Sequence, residues 1–416
     1  MAFGRRRFMQ AAGAGLGASA LGVPAIARAQ GEPIRIGLLT IKTGALAAGG
    51  IDMERGLTMF LSENGYTFAG RKVELTIADS GGVPAQARSK MQELVERDKV
   101  QAVVGPLAAF EALAIDDYVR TAQVPILPIA GAEDLTQRKE NPWIVRAVAT
   151  SAQCAHPMAD YCAKTLNYKR MAMIADDFAY GHEMLGGFAR VFEDGGGKIV
   201  QRLLSPLNVP DYGSYIAQVK TDIDGLFLGF AGSNGFRFMK QFNEYGMVGK
   251  VKAVGGMTAF DEAALRNMGD YALGCISSCW YSAQLDNPIN RKFAAAFRAE
   301  YKVDPGQYSA GCYVYGAVLK AAAEALKGDF TDKQALIKAL RSVRTDTARG
   351  EVRFDEYGNV VGNDYIRKVE KKDGRLVNTV IHTYPNVSQF WTYEPKEFLK
   401  NPVYSRDWPP LKNLES

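Results

Sequence analysis

The chain has 416 residues, 47% of them hydrophobic, and a formal net charge of +5. Four arginines and no acid lie in the first 29 residues, so the rest of the chain is close to neutral and does not favour binding to nucleic acid. No later stretch is apolar and long enough to span a bilayer. This remainder exceeds the size of one hydrophobic core, so we expect two lobes.

The amino terminus has the form of an export signal. Arg5-Arg6-Arg7-Phe8 precedes an apolar stretch rich in Gly and Ala at 11–26, and Ala27-Arg28-Ala29 has the small-x-small form that signal peptidase accepts. We predict cleavage after Ala29 and a periplasmic location. The paired arginines resemble a twin-arginine signal, although Gly4 stands where Ser or Thr is more usual. An uncleaved membrane anchor is the alternative, which the mild hydrophobicity of the stretch disfavours.

A first series of strand and helix signals follows, in which short β-type runs alternate with stretches of helical spacing. The predicted strands are 34–39, 73–78, 102–105, 124–129 and 144–148. The predicted helices are 51–63, 85–97 and 111–120. Strands that alternate with helices imply parallel sheets covered on both faces.

A second series repeats this pattern. Its predicted helices are 158–166, 181–193, 212–219 and 236–245, and its predicted strands are 170–174, 199–204, 225–230, 251–254 and 272–280. Three helices are predicted next, at 288–301, 312–327 and 333–343. The stretch 350–391 alternates in β fashion, with hairpin signals at Gly358-Asn359 and Asp373-Gly374.

The five cysteines do not predict a disulfide framework. Their number is odd, so at least one is unpaired within the chain. If Cys275 and Cys279 share one extended strand, they lie about 13 Å apart, beyond disulfide reach. The chain has three histidines, and those at 156 and 182 lack metal-ligand spacing. We therefore predict buried, unpaired cysteines and no metal or cofactor.

Several short motifs occur in a specific order along the chain. They are Ile34-Arg35-Ile36-Gly37, Thr43-Gly44, the turn at 79–82, Val104-Gly105-Pro106, Val124-Pro125-Ile126, the stretch 176–181 and the stretch 350–358. In this order the sequence resembles the type I periplasmic binding proteins. It is most similar to their branched-chain amino-acid (Leu/Ile/Val) branch, the solute receptors of ABC importers.

The resemblance implies an α/β fold of two lobes, each a parallel sheet flanked by helices, with three hinge crossings and a ligand cleft that closes between the lobes. It implies lobe one at 32–147 plus 282–362 and lobe two at 148–281 plus 363–395. Residues 396–416 contain three prolines, and we expect an extended tail there. The implied partners are a small ligand and the membrane permease subunits of an importer.

The sequence departs from the amino-acid-binding relatives where they hold their ligand. Those relatives bind the α-carboxylate with a Ser and a Thr, whereas 107–110 and 130–132 here contain no hydroxyl. They bind the α-ammonium with an acid, whereas 231–235 contains none. An ammonium in a closed cleft without a counter-charge would cost several kcal/mol, so an amino-acid ligand is disfavoured.

The residues expected around the cleft are instead mainly apolar and aromatic, which suits a flat ligand. Free backbone N–H groups at Ala108–Ala109 and Gly131–Ala132 would hold an anion. We therefore predict an aromatic carboxylate of the benzoate, phenylpropenoate or phenylacetate type. For Phe230 and Trp280 a place in the core is an equally good interpretation. The predicted ligand-binding residues are Leu46, Ala48, Leu107, Ala108, Ala109, Phe110, Ala130, Gly131, Ala132, Ser151, Gln153, Tyr180, Phe230, Gly232, Ser233, Met257, Trp280 and Tyr281.

Other functions remain as alternatives. The same receptor could take branched-chain amino acids or simple amides, or the protein could be a sensor that presents its ligand to a signalling partner. Arg146 and His182 could bring charge to the site, although a structural or solvated role is favoured for both. We do not predict an enzyme, because the chain has neither a Gly-x-Ser-x-Gly elbow nor a His-Glu-x-x-His metal helix.

Overall fold

The computed structural model describes residues 31–415, so the predicted export signal at 1–29 lies outside the described residues. The strands are β1 (Ile34–Thr40), β2 (Thr67–Phe68), β3 (Arg71–Asp79), β4 (Ala102–Val104), β5 (Ile126–Leu127), β6 (Arg170–Asp176), β7 (Lys198–Ser205), β8 (Gly225–Gly229), β9 (Ala253–Gly255), β10 (Ile276–Cys279), β11 (Thr345–Thr347), β12 (Gly350–Phe354), β13 (Val360–Lys372) and β14 (Arg375–Val387). The helices are α1 (Ala47–Glu63), α2 (Pro84–Gln92), α3 (Ala109–Ala122), α4 (Ser151–Asp160), α5 (Ala179–Asp194), α6 (Gly213–Ile216), α7 (Asn234–Glu244), α8 (Glu262–Leu265), α9 (Pro288–Tyr301), α10 (Gln307–Ala325), α11 (Lys333–Arg341) and α12 (Pro395–Leu399). Within residues 31–415, none of the helices has the length and apolar character needed to cross a membrane.

The first lobe is built on a five-stranded sheet in the order β2-β3-β1-β4-β5. All its pairings are parallel except that of the short strand β2. The helices α1 and α2 both contact β1, while α10 packs on α1 and α3 packs on α2. β1 is almost entirely buried, which explains its nearly continuous apolar sequence.

The second lobe contains the parallel strands β6 to β10 in the order β10-β9-β8-β6-β7, extended by the antiparallel hairpin of β13 and β14. The chain enters this lobe between β5 and β6, returns to the first lobe between β10 and α9, and enters the second lobe again along β13. The prediction of a two-lobed α/β fold is confirmed. The five cysteines form no disulfide within residues 31–415, and all but Cys275 are buried.

Several helices begin earlier than predicted, and the difference is largest for α4 and α10. α4 begins at Ser151 rather than at 158, because Thr150 caps it: the Thr150 hydroxyl accepts from Gln153 N–H at 3.2 Å, and Gln153 Oε1 accepts from Thr150 N–H at 3.1 Å. α10 begins at Gln307 rather than at 312, with Gly306 as its cap. Gly311 is therefore a residue of α10, although the predicted helix began one residue after it. It lies inside the helix because a side chain there would collide with Ile129, whose Cδ1 is 2.7 Å from the position of a Cβ.

We expected residues 396–416 to be extended. The structure differs from this expectation at the start of the segment, where the helix α12 forms. The remainder runs without regular structure along the second lobe. Phe398 and Tyr404 are buried against Ala152, and Glu415 forms an ion pair with Arg170. The buried apolar side chains of this segment, Phe398 and Tyr404, therefore pack on the second lobe of the same chain.

Candidate ligand-binding site

A cavity of about 410 Å³ lies between the two lobes. Its walls come from the loops that follow β1, β4, β5, β6, β8 and β9 and from the amino end of α10. In parallel sheets these carboxyl ends of strands are where ligands bind. The lining residues are Leu46, Leu107, Ala108, Ala109, Ile129, Gly131, Phe178, Tyr180, Ala231, Met257, Thr258, Gln307 and Tyr308.

The cavity wall is neutral. Among the residues that the structure describes, those that line the cavity include no Asp, Glu, Lys, Arg or His. The aromatic part of the wall consists of Phe178 and Tyr180, with ring centroids 6.0 Å apart, and of Tyr308. A flat apolar molecule would gain ring contacts here, whereas an ammonium group would find no carboxylate among these lining residues.

Free backbone N–H groups lie at the first-lobe end. Within residues 31–415, the N–H groups of Ala109, Phe110 and Gly131 donate no hydrogen bond to the protein. Ala108 N–H, which we expected to be free, donates to Glu111 Oε2 at 3.2 Å. That expectation is wrong, because the buried Glu111 side chain folds back over the start of α3, where burial raises its pKa to about 7.

Arg146 lies behind the loop at the first-lobe end of the cavity and contacts its carbonyl groups. Its guanidinium is fully buried and donates to Ala130 O at 3.1 Å and to Ala132 O at 2.6 Å. It also donates to Thr136 Oγ1 at 2.7 Å. A positive charge thus lies behind the loop that carries Gly131 N–H, which favours an anion on the cavity side of that loop.

Hydroxyl groups define the second-lobe end. The Tyr180 hydroxyl lies 2.5 Å from Thr258 Oγ1, and the Thr258 hydroxyl donates to Phe230 O. The amino end of α10 brings in two further polar groups, the Gln307 amide and the Tyr308 hydroxyl. Neither of these side-chain groups has a hydrogen-bond partner within residues 31–415, although Gln307 N–H donates to Asp261 Oδ1 at 2.8 Å.

The predicted site residues fall into three groups around this cavity. Three line an adjoining chamber of about 260 Å³, namely Ala48, Gly232 and Ser233. Four lie directly behind the wall: Phe110 against Phe178, Ala130 and Ala132 beside Gly131, and Ser151, whose Oγ is 2.6 Å from the position of a Cβ on Gly131. Seven line the main cavity, namely Leu46, Leu107, Ala108, Ala109, Gly131, Tyr180 and Met257.

The remaining four predicted residues do not line the cavity, contrary to expectation. Gln153 caps α4 and donates to Val360 O and Val387 O. Phe230 packs in the second-lobe core with Tyr212 and Phe238. Trp280 is buried under the Arg349 guanidinium, at 4.8 Å, and the Tyr281 hydroxyl donates to Asn290.

Sequence analysis missed six lining residues: Ile129, Phe178, Ala231, Thr258, Gln307 and Tyr308. Thr258 follows the predicted Met257, and Phe178 lies two residues before the predicted Tyr180, so both loops were located but not every residue on them that faces the cavity. Gln307 and Tyr308 were missed because α10 was predicted to begin too late.

Contacts across the cleft show that the lobes are closed. Ser233 N–H in the second lobe donates to Ala45 O in the first at 3.0 Å. Arg266 in the second lobe forms an ion pair with the buried Asp52 of α1. The Gln307–Asp261 hydrogen bond also joins the two lobes. The cavity is therefore described in its enclosed form.

Two carboxyl groups face each other behind the cavity wall. Glu133 N–H donates to Glu183 Oε1 at 3.2 Å, and Glu133 Oε1 accepts from Thr150 O–H at 3.1 Å. Burial raises the pKa of Glu133 to about 7. Burial, followed by the nearby Glu133 charge, raises the pKa of Glu183 well above its ordinary value.

Stability should fall as the pH rises from 5 to 8. Burial raises the folded-state pKa of Glu133, Asp176 and Asp364 to about 7 each, whereas unfolded carboxyls titrate near pH ~4. A raised folded-state pKa gives stability that is complete below the unfolded pKa and is lost as the pH rises through the folded one.

Thermal melts at intervals between pH 5 and 8 would check this. The melting temperature should drop by several degrees across the range, and Glu133→Gln should reduce the slope. The exposed control Glu356→Gln should leave the slope unchanged. A melting temperature that rises with pH in this range would contradict the expectation.

Comparisons with known proteins agree with this architecture. Residues 33–375 match the family described as "Periplasmic binding protein". The chain is similar to Leu/Ile/Val-binding protein homolog 6 of Brucella abortus (strain 2308), with 27% identity over 86% of this chain and 94% of the relative. It is similar to an ABC transporter substrate-binding protein structure from Sphaerobacter thermophilus, with 33% identity, a TM-score of 0.81 and coverage of 86% and 99%. It is also similar to a solute binding protein of an ABC transporter from Rhodopseudomonas palustris BisB5 in complex with 3,4-dihydroxy benzoic acid, with 31% identity, a TM-score of 0.82 and coverage of 86% and 98%.

Proposed function

Because this chain belongs to the periplasmic binding protein family, we propose that it receives a small aromatic carboxylate, of the benzoate, phenylpropenoate or phenylacetate type, in the cavity between its lobes. Proteins of this family are exported to the periplasm. As substrate-binding proteins of ABC transporters they bind small ligands and deliver them to membrane permeases. The family consists of receptors and is not an enzyme class.

The neutral cavity wall is the observation that carries this proposal. A free amino acid would bring an ammonium group into a closed cavity whose lining residues, within 31–415, include no carboxylate. An unpaired buried charge costs several kcal/mol, more than the contacts of a small aliphatic side chain return. An aromatic acid has no such group, and its ring matches Phe178, Tyr180 and Tyr308.

The carboxylate of the ligand fits the first-lobe end. Three unpaired N–H groups, those of Ala109, Phe110 and Gly131, are available there. Two of them belong to the start of α3, where the helix dipole favours an anion. The buried Arg146 charge behind Gly131 adds to the attraction without contacting the ligand. In this arrangement the backbone replaces the hydroxyls that amino-acid-binding relatives use.

A receptor for branched-chain amino acids is the second candidate, and one observation favours it. The Brucella abortus relative is described as a Leu/Ile/Val-binding protein homolog. The Rhodopseudomonas palustris structure, at slightly higher identity, was obtained with 3,4-dihydroxy benzoic acid. The neutral wall of the cavity supports the aromatic acid.

A thermal-shift screen of residues 30–416 tests the proposal. The set contains benzoates, phenylpropenoates and phenylacetates beside leucine, isoleucine, valine and simple amides. A ligand at one hundred times its dissociation constant stabilises the fold by about 2.7 kcal/mol, which gives a clear shift. We expect shifts with the aromatic acids. Shifts with the amino acids alone would refute the proposal.

Ala109→Pro should weaken binding of an aromatic acid about tenfold or more, because it removes one N–H from the carboxylate site. Ala109 is the first residue of α3, where proline is tolerated, and Ala108 has the extended backbone that a following proline requires (φ −96°, ψ 145°). Ala109→Gly keeps the N–H and serves as the control. Calorimetric titration of both variants gives the comparison. Equal affinities would show that this N–H does not hold the ligand.

A further inference from the structure

The direction of the hydrogen bonds around Thr258 is fixed by the groups it contacts. Phe230 O is a backbone carbonyl and can only accept, so the single Thr258 hydroxyl proton points to it. Thr258 Oγ1 must then accept the proton of Tyr180, whose oxygen lies 2.5 Å away. The chain of donors therefore runs from Tyr180 through Thr258 to Phe230 O.

This direction makes the Tyr180 oxygen an acceptor towards the cavity. Its only proton is already used, and its remaining lone pairs have no donor within residues 31–415. Tyr180 is 6% exposed, and burial raises its pKa well above the ordinary value, so it stays a neutral phenol. A buried acceptor left without a donor in a closed cavity is unfavourable. A ligand with a donor at this end of the cavity would use the free lone pairs of the Tyr180 oxygen.

Two further polar groups lie at the same end. The Tyr308 side chain and the Gln307 amide line the same cavity as Tyr180. Both side chains can donate and have no partner within residues 31–415. A group that both donates and accepts would satisfy Tyr180 together with Tyr308 or Gln307. A hydroxyl on the aromatic ring has this property.

We infer that the ligand is a ring-hydroxylated aromatic acid, whose hydroxyl donates to Tyr180 and whose carboxylate lies at the Ala109 end. This inference rests on the proposed function and deepens it. It excludes unsubstituted aromatic acids as the preferred ligands. Thr258 acts as a positioning residue, because it accepts the Tyr180 proton and so keeps that proton from pointing to the ligand.

Calorimetric titration with three benzoates tests the inference. 4-Hydroxybenzoate can donate and accept, 4-aminobenzoate mainly donates, and 4-fluorobenzoate is of similar size but has no donor. With the unmodified protein we expect the hydroxy and amino compounds to bind at least about tenfold more tightly than the fluoro compound. Tyr180→Phe should bring all three within a few-fold of one another.

Thr258→Val gives the sharper readout, because it releases the Tyr180 proton. Tyr180 can then donate to the ligand as well as accept from it, so 4-hydroxybenzoate, which can accept that proton, should gain affinity relative to 4-aminobenzoate, which mainly donates. A circular-dichroism melt of each variant confirms that it is folded.

Two results would overturn the inference. One is equal binding of all three benzoates by the unmodified protein. The other is an unchanged ratio of the affinities for 4-hydroxybenzoate and 4-aminobenzoate in a folded Thr258→Val variant. If no aromatic acid binds at all while leucine does, the proposed function itself fails, which is a different outcome from equal binding of the three benzoates.

Discussion

Replacing Gly232 by Ala should reduce ligand affinity by about a hundredfold or more while both lobes remain folded. Gly232 lies in the second lobe with φ +55°, facing the first lobe across the cleft. A Cβ there would lie 2.4 Å from Ala45 O and 2.8 Å from Leu46 Cδ2. Ala45 O also accepts the hydrogen bond from Ser233 N–H that joins the lobes. The added methyl group therefore opposes closure, whereas each lobe on its own has room for it.

A matched control separates closure from backbone strain. Gly246 has φ +67° in the second lobe, and a Cβ there would meet no atom within 4 Å. Gly246→Ala thus carries a similar strain of about 1 kcal/mol without the contact across the cleft. Calorimetric titration and a thermal melt of both variants give affinity and stability. If Gly232→Ala binds as tightly as Gly246→Ala, the closed cleft described here is not the binding form.

Replacing Tyr308 by Ala should change which aromatic acid binds best. The Tyr308 ring lines both the main cavity of about 410 Å³ and the adjoining chamber of about 260 Å³. It fits there because residue 49 is a glycine, whose Cβ position is 3.0 Å from the ring. Removing the ring joins the two spaces and takes away one aromatic wall.

We expect the affinity for 4-hydroxybenzoate to fall at least about tenfold in Tyr308→Ala, since the ligand loses ring contacts worth about 0.5–1.5 kcal/mol and the fixed shape of its site. The affinity for the longer 4-hydroxyphenylpropenoate should rise relative to it. Tyr308→Phe keeps the ring and should keep the original order of the two ligands. Both affinities are measured by calorimetric titration. An unchanged ratio in a folded Tyr308→Ala variant would show that this ring does not limit ligand length.

The sequence predicted the order of elements because strand and helix periodicities are local. The carboxyl ends of strands could be located from the same signals, which is why Leu46, Leu107, Gly131, Tyr180 and Met257 were found. What could not be predicted is which neighbouring residue on a loop points inward. Phe230 and Ala231 are consecutive, yet the first enters the core and the second lines the cavity.

Capping and long-range contacts explain the other differences. Gln153 was predicted to contact ligand, but Thr150 and Gln153 form a capping pair three residues apart, a signal present in the sequence. No such signal in the sequence marks the early start of α10. Gly306 caps this helix without a side chain, and Gln307 N–H donates to Asp261, which is distant in the sequence. The polar end of the site therefore depends on contacts between lobes that sequence periodicity does not encode.

The central claim, that the closed cleft holds an aromatic acid and rejects amino acids, is tested most directly by one calorimetric comparison. Residues 30–416 are unfolded and refolded to remove any bound ligand, then titrated with 4-hydroxybenzoate and separately with leucine at pH 7. We predict that 4-hydroxybenzoate binds at least about a hundredfold more tightly, because the leucine ammonium would remain unpaired in the neutral cavity. Leucine binding as tight as or tighter than that of 4-hydroxybenzoate would contradict the account.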